Sequence, residues 1–199
     1  MDPLELLRLE AETIWGREAG GLGCGTVFAT ATTFDGRTEL LDGHPEITPE
    51  TPAIITAARC WILTPPARLP SAPPGLALVH DHRDLRAPTG WDPDEWRLLL
   101  AGERGPWAAL VDDDDVVSLA RCARLTERAA EVGVRTQDAY QGRGLASIVV
   151  RAWAKLVAAD GRVLFYSALA DNHASHRVAA KCGAEPLGLL CRLGISPTP

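Results

Sequence analysis

Apolar residues along this chain alternate between a helical and a two-residue spacing, and the switches mark out its elements. Leu4, Leu6, Leu7, Leu9, Ile14 and Trp15 follow an approximate helical pattern. Cys24 to Phe34 is rich in Thr, Val and Phe and predicts a strand that ends at Asp35-Gly36. Thr48-Pro49-Glu50 has Pro where a first helical residue would stand, so a helix is expected to start there. Cys60 to Leu63 and Leu76 to His80 predict short strands. Asp92-Pro93-Asp94-Glu95 combines an N-cap, a proline and first-turn acids, and opens a helix with Trp96 and Leu98 to Leu100 on its apolar side.

Further on the pattern is sharper. Trp107 to Val111 and Val116 to Ala123 are apolar runs joined by four aspartates, which predicts a hairpin with a solvated turn. Ala129 to Arg135 predicts another strand. Leu145 to Ala159 is helical, with Leu145, Ile148, Val149, Ala152, Trp153, Leu156 and Val157 on the buried side. Ser147, Arg151 and Lys155 form its narrow polar stripe, and Asp160-Gly161 stops it. Val163 to Leu169 reads as a largely buried strand of the parallel-sheet kind. Asn172 to Lys181 is a short helix closed by Cys182-Gly183, and Leu187 to Leu193 a final strand.

The order hairpin, strand, helix, strand, helix, strand gives an α/β fold with a mixed central sheet flanked by helices. The Pro-rich stretch from Thr64 to Pro74 is the clearest boundary. It divides an N-terminal α/β extension, residues 1–74, from a domain at 75–199.

Composition narrows the classes. At 199 residues the chain holds one full core, and 46% hydrophobic with 23% charged residues is ordinary for a globular protein. No apolar run approaches the ~20 residues that span a bilayer, and the acid-bearing N-terminus lacks the basic start of a signal peptide. Five scattered cysteines without a C-x-x-C pair read as reduced thiols, so a cytoplasmic protein is expected. A net charge of −6 argues against nucleic-acid binding. From Arg135 to Arg162, however, five basic residues stand against two acidic ones, which suits a small polyphosphate ligand. His80-Asp81-His82 puts two imidazoles on one strand face, but no third ligand is evident and His44 is distant, so no metal site is expected.

The candidate chemistry lies in Tyr140-Gln141-Gly142-Arg143-Gly144-Leu145-Ala146, a glycine-lightened loop that opens onto a helix N-terminus. Outward N–H groups and the helix dipole favour anions there. The run has neither the Gly-Lys-Ser/Thr ending of a P-loop nor a three-glycine dinucleotide fingerprint. It fits Gln/Arg-x-x-Gly-x-Gly/Ala, and Asn172-His173-Ala174-Ser175 with Val178, Lys181 and Gly183 follows in order. Together they resemble the GNAT superfamily of N-acetyltransferases, from about Gly105 to the C-terminus.

That resemblance implies a GNAT-like acyl-CoA N-acyltransferase fold, with acetyl-CoA as co-substrate in a gap between two parting parallel strands. It implies a cofactor-binding set of Val134, Arg135, Thr136, Gln141, Gly142, Arg143, Gly144, Leu145, Ala146 and Asn172. The implied reaction is direct attack by a primary amine, on a small molecule or a peptide, within a ternary complex. Glu131, in the strand before the loop, is the leading base candidate and Glu127 the second. Ser175 stands where some members acting on protein N-termini place an acid. Many members carry a Tyr acid on the last helix, and the matching position here is Ala179. Tyr166 sits in a buried strand whose sequence leaves its direction open. His173 and His176 lie three apart beside the expected acetyl site. The alternative is a catalytically idle acyl-CoA-binding regulator. The extension is expected to cap the acceptor site or to build a homodimer interface.

Overall fold

The structure is a computed structural model that describes residues 1–18, 21–22, 26–43, 53–81 and 84–195. Its elements are α1 (Pro3–Trp15), β1 (Arg17–Glu18), β2 (Gly21–Leu22), β3 (Thr26–Thr33), β4 (Thr38–Gly43), β5 (Ala53–Ile62), β6 (Ala77–Val79), α2 (Pro93–Leu100), β7 (Trp107–Asp112), β8 (Asp115–Leu125), β9 (Ala129–Thr136), α3 (Leu145–Val157), β10 (Val163–Leu169), α4 (His173–Lys181) and β11 (Glu185–Ile195). The helix start expected at Thr48 lies outside the described residues, as do Cys24, His44 and His82. The strand expected at Cys60–Leu63 is the end of the longer β5.

β1 and β2 form a separate two-residue ribbon. The other strands make one sheet in the order β4-β3-β11-β5-β10-β9-β8-β7-β6. Every neighbouring pair is antiparallel except β9 and β10, which are parallel. β5 therefore sits between β10 and β11, so strands from both sides of the Pro-rich stretch are hydrogen-bonded together. β5 pairs with ten residues of β11 and five of β10.

Alternation across the pleat divides the core. Ala108 and Leu110 of β7, Ala130 and Val132 of β9, and Leu164 and Tyr166 of β10 pack with α3 and Ala179 of α4. On the other face, α1 packs Leu6, Leu7, Leu9, Ala11 and Trp15 over Ala129, Phe165, Leu187 and Leu190. Trp96 and Leu99 of α2 meet Trp107, Ala109 and Val111 on that same face. The buried face of α3 is turned from the expected stripe: Val150 and Ala154 are buried with Leu145, Val149, Ala152, Trp153 and Val157, while Ile148 and Leu156 are half-buried. Asp2 and Glu5 form a reciprocal capping box at the start of α1, satisfying two N–H groups that the helix leaves open.

Candidate active site

The parallel pair β9–β10 is the pivot of the site. Its ladder joins Val163, Leu164 and Phe165 to Ala129, Ala130 and Glu131. Beyond that last pair the two strands no longer pair with each other, β9 running on beside β8 to Thr136 and β10 beside β5 to Leu169. A cleft of about 380 Å³ opens where they part. β9 contributes Val134 and Thr136 to it, and β10 contributes Tyr166. The loop before α3 and that helix's first turn supply Gln141, Gly142, Gly144, Leu145 and Ala146, and α4 with its cap supplies Asn172, Ser175, Arg177, Val178 and Lys181.

The loop is built to leave its amides open. Asp138–Tyr140 forms a short 3-10 turn, and Gln141 donates to Asp138 Oδ1 at 2.8 Å. The Tyr140 hydroxyl donates to Asp112 Oδ2 at 2.8 Å. Gly142 and Gly144 then take positive φ, +76° and +81°, and Gly144 caps α3 in the left-handed region. The N–H groups of Gly142, Arg143, Gly144, Leu145 and Ala146 find no acceptor among the described residues. Asn172 caps α4, its side chain accepting from the Ser175 N–H at 3.0 Å.

Charge reinforces those amides. Arg177 and Lys181, one turn apart on α4, are the charged side chains lining the cleft among the described residues, and no described carboxylate does so. The Lys181 Nζ stands 3.9 Å from where a Cβ on Gly144 would lie. Sequence reasoning had left both cations out of the site. Their common helix face with Ala174 and Val178 was readable, but that this face turns toward the loop was not.

Two side chains of the expected set point away from the cleft. Arg135 alternates with Val134 and Thr136, so it faces a smaller recess on the other side of the sheet with Trp91 and Asp138. Arg143 folds back onto its own turn, stacking over Tyr140 at 5.0 Å and donating to the Ala139 carbonyl. Glu127 is exposed in the turn before β9, at the end away from the cleft. His80 is exposed as well.

Glu131 stands on the last rung of the ladder and points to the α1 face. It is buried and accepts a hydrogen bond from the Ser167 hydroxyl. Burial raises its pKa, with the Ser167 hydrogen bond and the Arg124 charge opposing. Glu10 of α1 lies close by, fully buried, with neither carboxyl oxygen hydrogen-bonded. Burial first and the Glu131 charge second push Glu10 well above the ordinary carboxyl range. The Cys60 thiol faces the same pair and is raised likewise.

Ser175 lies at the cleft wall with Tyr166. Ala179, one turn on, is wholly buried beneath α4. His176 stacks on Trp61 at 5.3 Å, and one of its ring nitrogens is 3.0 Å from the Leu169 carbonyl.

A mixed sheet whose one parallel pair parts over a loop of open amides defines an acyltransferase-like class of fold. The pattern of the acetyltransferase (GNAT) domain matches residues 73–185, and the chain belongs to that family. No curated protein matches the chain. Among solved structures it is similar to a putative GNAT-family acetyltransferase from Novosphingobium aromaticivorans, at 24% identity and TM-score 0.51, covering 77% of this chain and 73% of that one. A GNAT-family acetyltransferase from Colwellia psychrerythraea aligns at 17% identity and TM-score 0.52, covering 74% and 59%. A tandem GNAT protein from the clavulanic acid biosynthesis pathway aligns at 15% identity and TM-score 0.55, covering 87% and 65%. The chain thus spans less than two thirds of the latter two, and these likenesses concern the fold.

Proposed function

We propose that this chain is an acetyl-CoA-dependent N-acetyltransferase that acts on a primary amine by direct attack in a ternary complex. One observation carries the reading: Gly142, Gly144, Leu145 and Ala146, whose amides are open, line the gap between β9 and β10 with two cations and, among the described residues, no carboxylate. Such a donor set fits a polyphosphate in an otherwise acidic protein. Acetyl-CoA would supply an activated thioester.

The loop amides 142–146, with Arg177 and Lys181, would hold its phosphates. Val134 and Thr136 would offer the unpaired edge of β9 to the pantetheine arm, and Asn172 would meet it from the start of α4. Glu131 faces the opposite side of the sheet, from which an amine would approach. A carboxyl raised by burial binds a proton more strongly than a free one, which suits a base. Its expected signature is an acid limb of kcat/KM above 4.5, the ordinary glutamate value, because activity falls as Glu131 protonates. Glu131→Gln should lower kcat/KM by about 10²-fold or more and remove that limb.

Buried Ala179, where many family members place a tyrosine, favours a second reading, an idle acyl-CoA-binding protein. Thermal unfolding with acetyl-CoA, and with ATP and NAD as controls, tests the cofactor. At about 100 times Kd it should stabilise the fold by ~2.7 kcal/mol. CoA release with an amine then separates enzyme from idle binder. No shift with acetyl-CoA in folded protein would defeat both readings.

A further inference from the structure

We propose that the acceptor is a primary amine that carries a carboxylate, and that Arg121 holds that carboxylate on the sheet face opposite the cofactor cleft. The inference rests on the acetyl-transfer reading above and names its substrate class. A cavity of about 690 Å³ opens on the face that α1 and α2 cover. Its walls are α2 and the end of β8, and Arg124 closes it toward α1, its Nε donating to the Ile14 carbonyl at 3.3 Å. In the β8–β9 ladder Arg121 stands opposite Gly133 and Arg124 opposite Glu131, a bulge between them absorbing the odd residue. Both arginines therefore share a face with Glu131. Arg121 is its diagonal neighbour, roughly 7–8 Å away between Cα atoms, a span that a long side chain covers. The sheet surface there carries only small residues: a Cβ on Gly133 would meet the Ala123 Cβ at 3.1 Å.

The charges around this cavity are not equally free. Arg104 grips Glu95 with two hydrogen bonds, at 2.6 and 3.1 Å. Asp92 accepts from the N–H groups of Asp94 and Glu95, both at 3.0 Å, to cap α2. Glu103 is exposed beside Arg104 at the outer end. Arg121 and Arg124, by contrast, form no ion pair among the described residues. They donate to main-chain carbonyls instead, Arg121 to Cys122 at 3.1 Å and Arg124 to Ala123 at 2.8 Å. Arg121 is half-buried, and its guanidinium lies over the Trp91 ring at 5.4 Å, which fixes its plane. A half-buried guanidinium so held, with donors to spare, matches a carboxylate as a two-pronged fork. An acceptor seated here sets its carboxylate on Arg121 and its amine beside Glu131. A polyamine would instead bring a second ammonium against Arg121, which selects against it.

The experiment compares acceptors that differ only in charge. Release of CoA from acetyl-CoA is followed with β-alanine, 4-aminobutyrate and 5-aminovalerate, each beside its amide, and with putrescine. Ala-Asp-amide beside Ala-Asn-amide separates an acidic peptide from a free amino acid as the source of the carboxylate. In the wild type at least one acid should exceed its amide by about 10- to 100-fold in kcat/KM, with putrescine the poorest of the set. Arg121→Gln should bring that ratio close to one, chiefly through the KM of the acid. Arg121→Lys should keep part of it, because the charge stays and the fork is lost. The thermal shift of each variant with acetyl-CoA reports whether its fold and cofactor cleft are intact, and the wild-type ratios decide the matter even where a variant does not fold. A wild-type ratio near one, a preference for putrescine, no acid acetylated, or a ratio that survives Arg121→Gln would overturn the assignment alone. No thermal shift with acetyl-CoA in folded wild-type protein would overturn the acetyl-transfer reading and this assignment with it.

Discussion

Glu10 is the residue most at odds with its surroundings. An unpartnered buried polar group costs about 1–3 kcal/mol, and Glu10 has two such oxygens. Its pKa is raised in the fold, so its contribution to stability is fully present below 4.5, the ordinary value, and is lost as pH rises toward the folded value. Glu10→Leu should therefore stabilise the protein by about 1–3 kcal/mol at pH 7, and the advantage should shrink as pH falls toward 4.5. Parallel urea melts of the two proteins at several pH values check this; an advantage independent of pH would mean that Glu10 ionises freely. The cations act on a different quantity. Lys181→Ala should weaken acetyl-CoA binding and flatten its salt dependence while leaving the unliganded melting point almost unchanged, since Lys181 is exposed and makes no ion pair among the described residues. Titration calorimetry at two salt concentrations reads both.

At the scale of elements, two glycines matter for different reasons. Gly144 needs its left-handed φ of +81° to turn the loop into α3, and a Cβ there would meet nothing closer than the Lys181 ammonium. Gly144→Ala should thus cost about 1–2 kcal/mol in strain and weaken acetyl-CoA binding as the amides turn away. Gly188 is limited by contact. At the bulge of β11, a Cβ would fall 2.0 Å from the Thr32 carbonyl of β3. Gly188→Ala should part β11 from β3 and lower stability by about 3 kcal/mol or more, visible in a denaturant melt. The strands of the site were readable as elements because their apolar runs end in Gly, Asp and Pro. The direction of Tyr166 was not, because β10 is apolar on both faces and alternation carries no sign there.

On the scale of the molecule, the sheet decides what can be separated. β5 fills the slot between β10 and β11, and Trp61 on it braces Tyr166. A fragment of residues 75–199 would leave both flanking strands with open edges and bare the α1-facing core of Phe165 and Leu187. Such a fragment should show no cooperative thermal transition by circular dichroism, and adding acetyl-CoA should not restore one. The same placement gives the N-terminal segment a part in the site that its sequence did not announce. Residues 1–62 carry no chemical motif, yet they supply Glu10, Trp61 and the strand that holds β10 in place.

By itself, the sequence determined the elements and the glycine turn before α3, because both depend on local rules. Periodicity places helices and strands, Gly142 and Gly144 open the turn, and Asn172 caps the helix that follows. It also carried the family, through two motifs in order. Only the tertiary structure decided which side chains meet. It turned the Arg135 and Arg143 side chains away, brought Arg177 and Lys181 in, and turned Tyr166 toward the cleft. It also buried Glu10 beside Glu131, from helices and strands over a hundred residues apart. The reason is physical: spacing along a strand or helix fixes which residues share a face, but only packing fixes which way that face looks.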